Sequence, residues 1–170
     1  MSTEEFDIFR IQDGEGEHVR DVVSVEVPVT IHVNGHELVT LLASPTHLKE
    51  LSVGFLLSSG ILRDANDVRK VALSEQKWRI DVDLAGEGAP SELIEKRMYT
   101  SGCGKGTLFA TAMDLMDRRP VESVLSVSAD ALLARMKEFN QASAGYKTTG
   151  GEHSAALCNA ERILVYREDI

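Results

Sequence analysis

The stretch TSGCGKGT, residues 100 to 107, places one cysteine and one lysine among three glycines. The glycines leave the sulfur of Cys103 unshielded. A helical pattern starts just downstream, and its N-terminal partial positive charge, with Lys105 close in sequence, favours the thiolate. A thiolate is the nucleophilic form of cysteine. Clustered glycines ahead of a helix also make ordinary turns, so both readings stay open at this level. Two familiar alternatives fail on spacing. A Walker loop requires Ser or Thr directly after Gly-Lys, but Gly106 follows Lys105 and Tyr99 stands where the first glycine belongs. A structural zinc site requires paired ligands such as C-x-x-C, and Gly106 again occupies the second position. Glu152-His153 is the wrong order for the H-x-E of a zinc deaminase, and no metal site is expected.

TTGGEH, residues 148 to 153, is the second candidate. Gly150 and Gly151 allow a ligand to approach the backbone closely, Thr148 and Thr149 offer hydroxyls, and His153 can donate to a phosphate or carry a proton. The plain alternative is a helix-to-strand connection with a surface histidine. Cys158 ends the apolar run AAL and reads as a buried small hydrophobe. His18, His32, His36 and His47 receive no role.

The chain has 170 residues, is 43% hydrophobic and carries a net charge of −9. It is long enough for one core or two small ones. The acidic balance argues against a dedicated nucleic-acid binder. No apolar run reaches the roughly 18 residues that span a bilayer, and the acidic N-terminus lacks a signal-peptide layout. Two widely separated cysteines fit a reducing cytoplasm.

The positioning elements follow from periodicity. After a polar opening with Asp13, Gly14 and Gly16, VSVEVPVTIHV alternates to Val33, Asn34-Gly35 makes a hairpin turn, and HELVTLLA returns. Ser44-Pro45 predicts a helix start, Leu48, Leu51, Phe55 and Leu56 a helical face, and Gly60 a stop. VRKVAL and WRIDVDL predict two strands, and GEGAPS a linker. Beyond it, Leu108, Ala112, Leu115 and Met116 predict one helix. Ser128 caps another that carries Leu132, Leu133, Met136 and Phe139. YKTTGGEHSAALC, a short NAE turn and RILVYREDI follow, and these last pieces predict a hairpin of two buried strands. The chain stops directly after that last strand, which reads as a truncation or the edge of an ordered region. The expected division is an α+β unit over 1–90 and a second unit over 91–170.

Four segments in this order, VPVTIHVNG, SPTHLKELSVGFLLSSGIL, TSGCGKG and TTGGEHSAAL with REDI, resemble the FdhD family of formate dehydrogenase accessory sulfurtransferases. The resemblance implies an α/β (α+β overall) protein whose residues 91–170 form part of a cytidine-deaminase-like catalytic domain. It implies that Cys103 takes sulfur as a persulfide from a cysteine desulfurase. The sulfur is delivered to a molybdenum (or tungsten) bis-pterin guanine dinucleotide cofactor for formate dehydrogenase. Thr149, Gly150, Gly151 and His153 would lie on the cofactor-binding surface. Lys105, with the loop amides around Gly102, Gly104 and Gly106, would bind the phosphates, and a guanine nucleotide is the simplest ligand expected. A cytoplasmic homodimer is implied, without nucleic-acid or membrane partners. Many members carry C-G-x-C in the loop, where this chain has Cys103-Gly104-Lys105-Gly106. They also continue past REDI with GRHNAVDK. The single cysteine motivates an alternative, a cofactor-binding chaperone without sulfur transfer.

Overall fold

The computed structural model describes residues 2–85, 98–99 and 122–170. The cysteine loop and the helix expected over Leu108–Met116 lie outside these described residues. The chain forms two compact units, Glu26–Pro120 and a discontinuous one made of Met1–Val25 with Val121–Ile170. This division differs from the one expected near residue 90, which itself falls outside the described residues. The physical reason is that the N-terminal segment folds onto the C-terminal one, with Ser24 Oγ 2.9 Å from Thr149 Oγ1. Both units mix strands with a few helices, as the α/β expectation has it.

In unit Glu26–Pro120, β3 (Val27–Val33) and β4 (His36–Ala43) form the hairpin expected around Asn34-Gly35. Asn34 has φ 48° and Gly35 φ 84°, the left-handed pair that a two-residue turn requires. Asn34 also pins the neighbouring strand: its Oδ1 accepts from Leu84 N at 2.8 Å, and its N–H donates to Val82 O at 3.0 Å. Strands β5 (Val68–Ser74) and β6 (Arg79–Leu84) complete the predicted pair, and β7 (Met98–Tyr99) adds to β4. The sheet order is β5-β6-β3-β4-β7, antiparallel except for the parallel pairs β3–β6 and β4–β7.

Strict alternation in β3 sends Val27, Val29, Ile31 and Val33 inward. Ile80, Val82 and Leu84 of β6 line the same core, and Leu48 and Leu56 of α1 (Leu48–Ser58) are buried with them. Buried Ser52 donates to Lys49 O at 2.7 Å, so its hydroxyl is satisfied. The helix begins later than the Ser44-Pro45 signal predicts. Thr46 N donates to Ser44 O at 2.8 Å, making a turn there, and His47 is the N-cap with φ 52° and no side-chain cap bond. Helix geometry sets in at Leu48, whose side chain is buried in the core. Gly60, with φ 74°, ends the helix as expected, and Leu62 N closes back on Leu56 O at 2.9 Å.

In the other unit, what reads as a polar opening is a regular hairpin. Strands β1 (Thr3–Gln12) and β2 (Glu15–Ser24) pair in register from Thr3↔Ser24 to Gln12↔Glu15. Asp13 (φ 54°) and Gly14 (φ 87°) make the turn, and the apparent long strand running to Val33 breaks between Ser24 and Val27. Helix α2 (Ala129–Ala142) starts where Ser128 predicts, with Ser128 Oγ accepting from Ala131 N at 3.2 Å. A short helix, α3 (Ala144–Thr149), follows and ends at Gly150, φ 70°. Strands β8 (His153–Cys158) and β9 (Ile163–Asp169) form the expected hairpin, with Asn159 Oδ1 accepting from Glu161 N and Arg162 N at 2.9 and 2.8 Å.

Two expectations for this unit are corrected. Strand β8 is mostly exposed and β9 mixes exposed with half-buried residues, rather than both being buried, and Cys158 is exposed. Cys158 sits where the register slips between Leu157 and Cys158, at the turn end of a two-stranded sheet. Leu132, Leu133 and Met136 of α2 are exposed as well, while Phe139 packs edge-on against Tyr166 with ring centroids 5.6 Å apart.

Candidate functional site

Of the predicted site residues, Gly102, Cys103, Gly104, Lys105 and Gly106 lie outside the described residues. Thr149, Gly150, Gly151 and His153 lie together at the junction between α3 and β8. Thr149 is the last residue of α3. Gly150 takes the left-handed conformation that stops the helix, at a position where a side chain would be strained. A Cβ built on Gly150 meets nothing within 4 Å, so the turn is open on that side. His153 opens β8 with its side chain exposed. The segment is thus the helix-to-strand connection of the plain reading, and its open glycine and exposed histidine leave a ligand room to approach.

The backbone donors of the turn are already engaged. Gly150 N donates to Tyr146 O at 2.8 Å, and Gly151 N donates to Thr149 Oγ1 at 3.2 Å. The two glycine amides therefore do not form a free anion cradle, and the outward-facing donor of the motif is the His153 imidazole.

Sequence reasoning does not identify the residues that hold this junction. At the start of α3, Glu168 Oε2 accepts from Gly145 N at 3.2 Å. Its Oε1 accepts from Ser143 Oγ at 3.0 Å, Tyr166 Oη at 3.0 Å and Tyr146 N at 3.4 Å. Ser154 Oγ lies 2.8 Å from Tyr166 Oη and extends the network into β8. At the other end of α3, Glu152 is 8% exposed, and Ser24 Oγ donates to its Oε1 at 2.9 Å. The partners Ser24 and Glu152 are 128 residues apart in sequence. The signal that could have located Glu168 is a carboxylate needed to satisfy free amides at a helix start, but its distance along the chain hides it.

Burial pushes the Glu168 carboxyl up, but the N–H groups of Gly145 and Tyr146 and the hydroxyls of Tyr166 and Ser143 outweigh it and hold the group below its ordinary value. A lowered carboxylate stabilises the fold above its unfolded value of about 4.5, and that contribution is lost as pH falls through the folded value. Glu168→Gln should therefore be less stable than the parent at neutral pH, and the gap in melting temperature should narrow as pH drops below 4.5. Thermal melts of both proteins across the acid range check this. In the other unit, the hydrogen bond from Arg79 lowers the Asp81 carboxyl, against a smaller opposing effect of burial.

Among the described residues, no group of three His, Cys, Asp or Glu side chains could hold a metal ion. No described helix is long and apolar enough to cross a membrane.

The FdhD/NarQ family model matches residues 24–170. The chain belongs to the FdhD/NarQ family. Among its relatives in that family, the sulfur carrier protein FdhD of Bacillus subtilis is 37% identical over 165 residues, covering 96% of this chain and 63% of the relative. That of Bacillus pumilus is 36% identical over 164 residues, with the same coverage. A crystal structure of a putative formate dehydrogenase accessory protein from Desulfotalea psychrophila superposes with a TM-score of 0.76 at 21% identity, over 99% of this chain and 63% of that one. The fold is thus shared with that accessory protein. The chain spans 63% of the length of these relatives.

Proposed function

We propose that this chain is a sulfur carrier that takes persulfide sulfur from a cysteine desulfurase on Cys103. It delivers that sulfur to the molybdenum (or tungsten) bis-pterin guanine dinucleotide cofactor destined for formate dehydrogenase. The observation that carries the reading is membership of the FdhD/NarQ family, with relatives named as sulfur carriers at 36% and 37% identity. The residue chemistry supports it. In the loading step, the Cys103 thiolate attacks the outer sulfur of the desulfurase persulfide. One S–S bond forms, the old S–S bond breaks, and the desulfurase cysteine leaves as a thiolate. Sulfane sulfur moves between equivalent thiols, so no external oxidant or reductant is needed.

The cofactor is the anionic cargo. His153, exposed beside the open Gly150 turn, is the group of the second motif best placed to meet a phosphate, with Thr149 and Gly151 shaping the turn. Lys105 and the amides of Gly102, Gly104 and Gly106 supply the remaining donors in this reading. Such a protein acts in the cytoplasm as a homodimer. Gly106, standing where many relatives have a second cysteine, favours one rival: a chaperone that binds the cofactor without carrying sulfur.

Incubation of the full chain with a cysteine desulfurase and radiosulfur-labelled cysteine tests the reading. Covalent label that a thiol reductant releases is the expected result. A chain that stays unlabelled overturns the carrier and leaves the chaperone.

A further inference from the structure

Gly150 and Gly151 form a two-glycine turn whose flanking residues, Thr149 and Glu152, both lie against one hydroxyl. Ser24 Oγ lies 2.9 Å from Thr149 Oγ1 and 2.9 Å from Glu152 Oε1. We propose that Ser24 and Glu152 form a clasp across this turn, and that Glu152 is thereby a positioning residue that sets His153 for an anionic ligand it does not itself touch.

The placement follows from elementary costs. A carboxylate that is 8% exposed is expensive to bury without donors, and a charge-assisted hydrogen bond is the stronger kind. The single Ser24 proton therefore favours the Glu152 carboxylate. The Thr149 hydroxyl donates to Gly145 O at 2.9 Å and accepts from Gly151 N, so it has its own proton placed. Gly145 is part of the same device. A Cβ built there would overlap the Glu152 carboxylate, so the carboxylate lies directly against the Gly145 backbone and a side chain there would displace it. Ser24 is delivered by the last pair of the β1–β2 hairpin, Thr3↔Ser24, and Val25 N donates to Ser2 O at 2.8 Å just beyond it. Ser24 is also the residue at which the family match begins. Without a clasp, two consecutive glycines would leave the strand start at His153 with the widest conformational freedom the chain allows. With it, the Glu152 end of the turn is fixed to the hairpin, while Thr149 at the other end is held by Gly145 O.

The ligand half of this inference rests on the proposed function, and the hydrogen-bonding half does not. The test uses the full chain, with Glu152→Ala, Glu152→Gln and Gly145→Ala. Two quantities are measured: amide hydrogen exchange at Gly150, Gly151 and His153, and affinity for guanosine diphosphate by calorimetry. Glu152→Ala should speed exchange at these amides and weaken nucleotide binding about tenfold, the scale of one lost hydrogen bond to a charged group. Glu152→Gln keeps an acceptor for Ser24 and should retain both. Gly145→Ala keeps every hydrogen-bonding group but displaces the carboxylate, and should behave as Glu152→Ala does. Exchange in Glu152→Ala matching the parent overturns the clasp, as does a Glu152→Gln variant as damaged as Glu152→Ala. If the parent chain binds no nucleotide, the nucleotide reading fails, and the exchange data still decide the clasp.

Discussion

Cys103→Ala should reduce desulfurase-dependent sulfur uptake to the level of a control lacking the chain, while Cys158→Ala should leave uptake intact. The measurement is labelled sulfur retained on the protein before reduction. The effect is complete because alanine offers no nucleophile. Cys158 is the informative comparison because it is exposed, so accessibility alone does not separate the two thiols. Their surroundings do. Cys158 closes strand β8, whereas Cys103 stands among glycines beside Lys105 and ahead of a helical sequence pattern. Those are the conditions that raise the thiolate fraction at neutral pH.

The second large effect is on stability. Leu56→Ala should destabilise unit Glu26–Pro120 by about 2–5 kcal/mol. Leu56 is fully buried with Ile31, Ile80 and Val82, so truncation removes apolar burial and leaves a cavity in a sheet-and-helix core. Trp78 is the chain's one tryptophan and belongs to this unit, so its fluorescence in a urea titration reports the event. The midpoint should fall with the slope unchanged. Leu57→Ala, one residue along on the exposed side, should stay within about 0.5 kcal/mol of the parent.

What was legible in the sequence was local. Asn34-Gly35 specifies its hairpin because positive φ at two adjacent residues is a property of those residues, and the alternation of β3 names its own inward face. Ser128 and Gly60 mark helix ends for equally local reasons. Asp13-Gly14 carries the same hairpin signal. Its strands are rich in charge on both faces, and Phe6, Phe9 and Ile11 are exposed, so alternation is weak and the segment reads as polar lead-in. Helix α3 has six residues, too few to show a helical period. Ser44-Pro45 carries a valid start signal that the turn through Thr46 displaces by three residues, to His47 as the N-cap.

The site was half legible. Glycines and a histidine at TGG-x-H announce an unusual backbone and an exposed polar group, and Gly150 and His153 meet that description. Ser24, Glu152 and Glu168 were not legible. Apart from the Tyr166–Glu168 bond, their work depends on contacts between residues 22 to 128 positions apart, and spacing along the chain carries no trace of those. The −9 net charge also gave no warning that some carboxylates are structural parts rather than surface charge.

The most direct measurement is peptide mapping of the desulfurase-treated chain after alkylation. Cleavage after lysine and arginine separates the two cysteines into the peptides of residues 98–105 and 148–162. One added sulfur on the 98–105 peptide, and none on 148–162, is the expected result. Added sulfur confined to 148–162, or found on neither peptide, would contradict the assignment of Cys103 as the sulfur carrier.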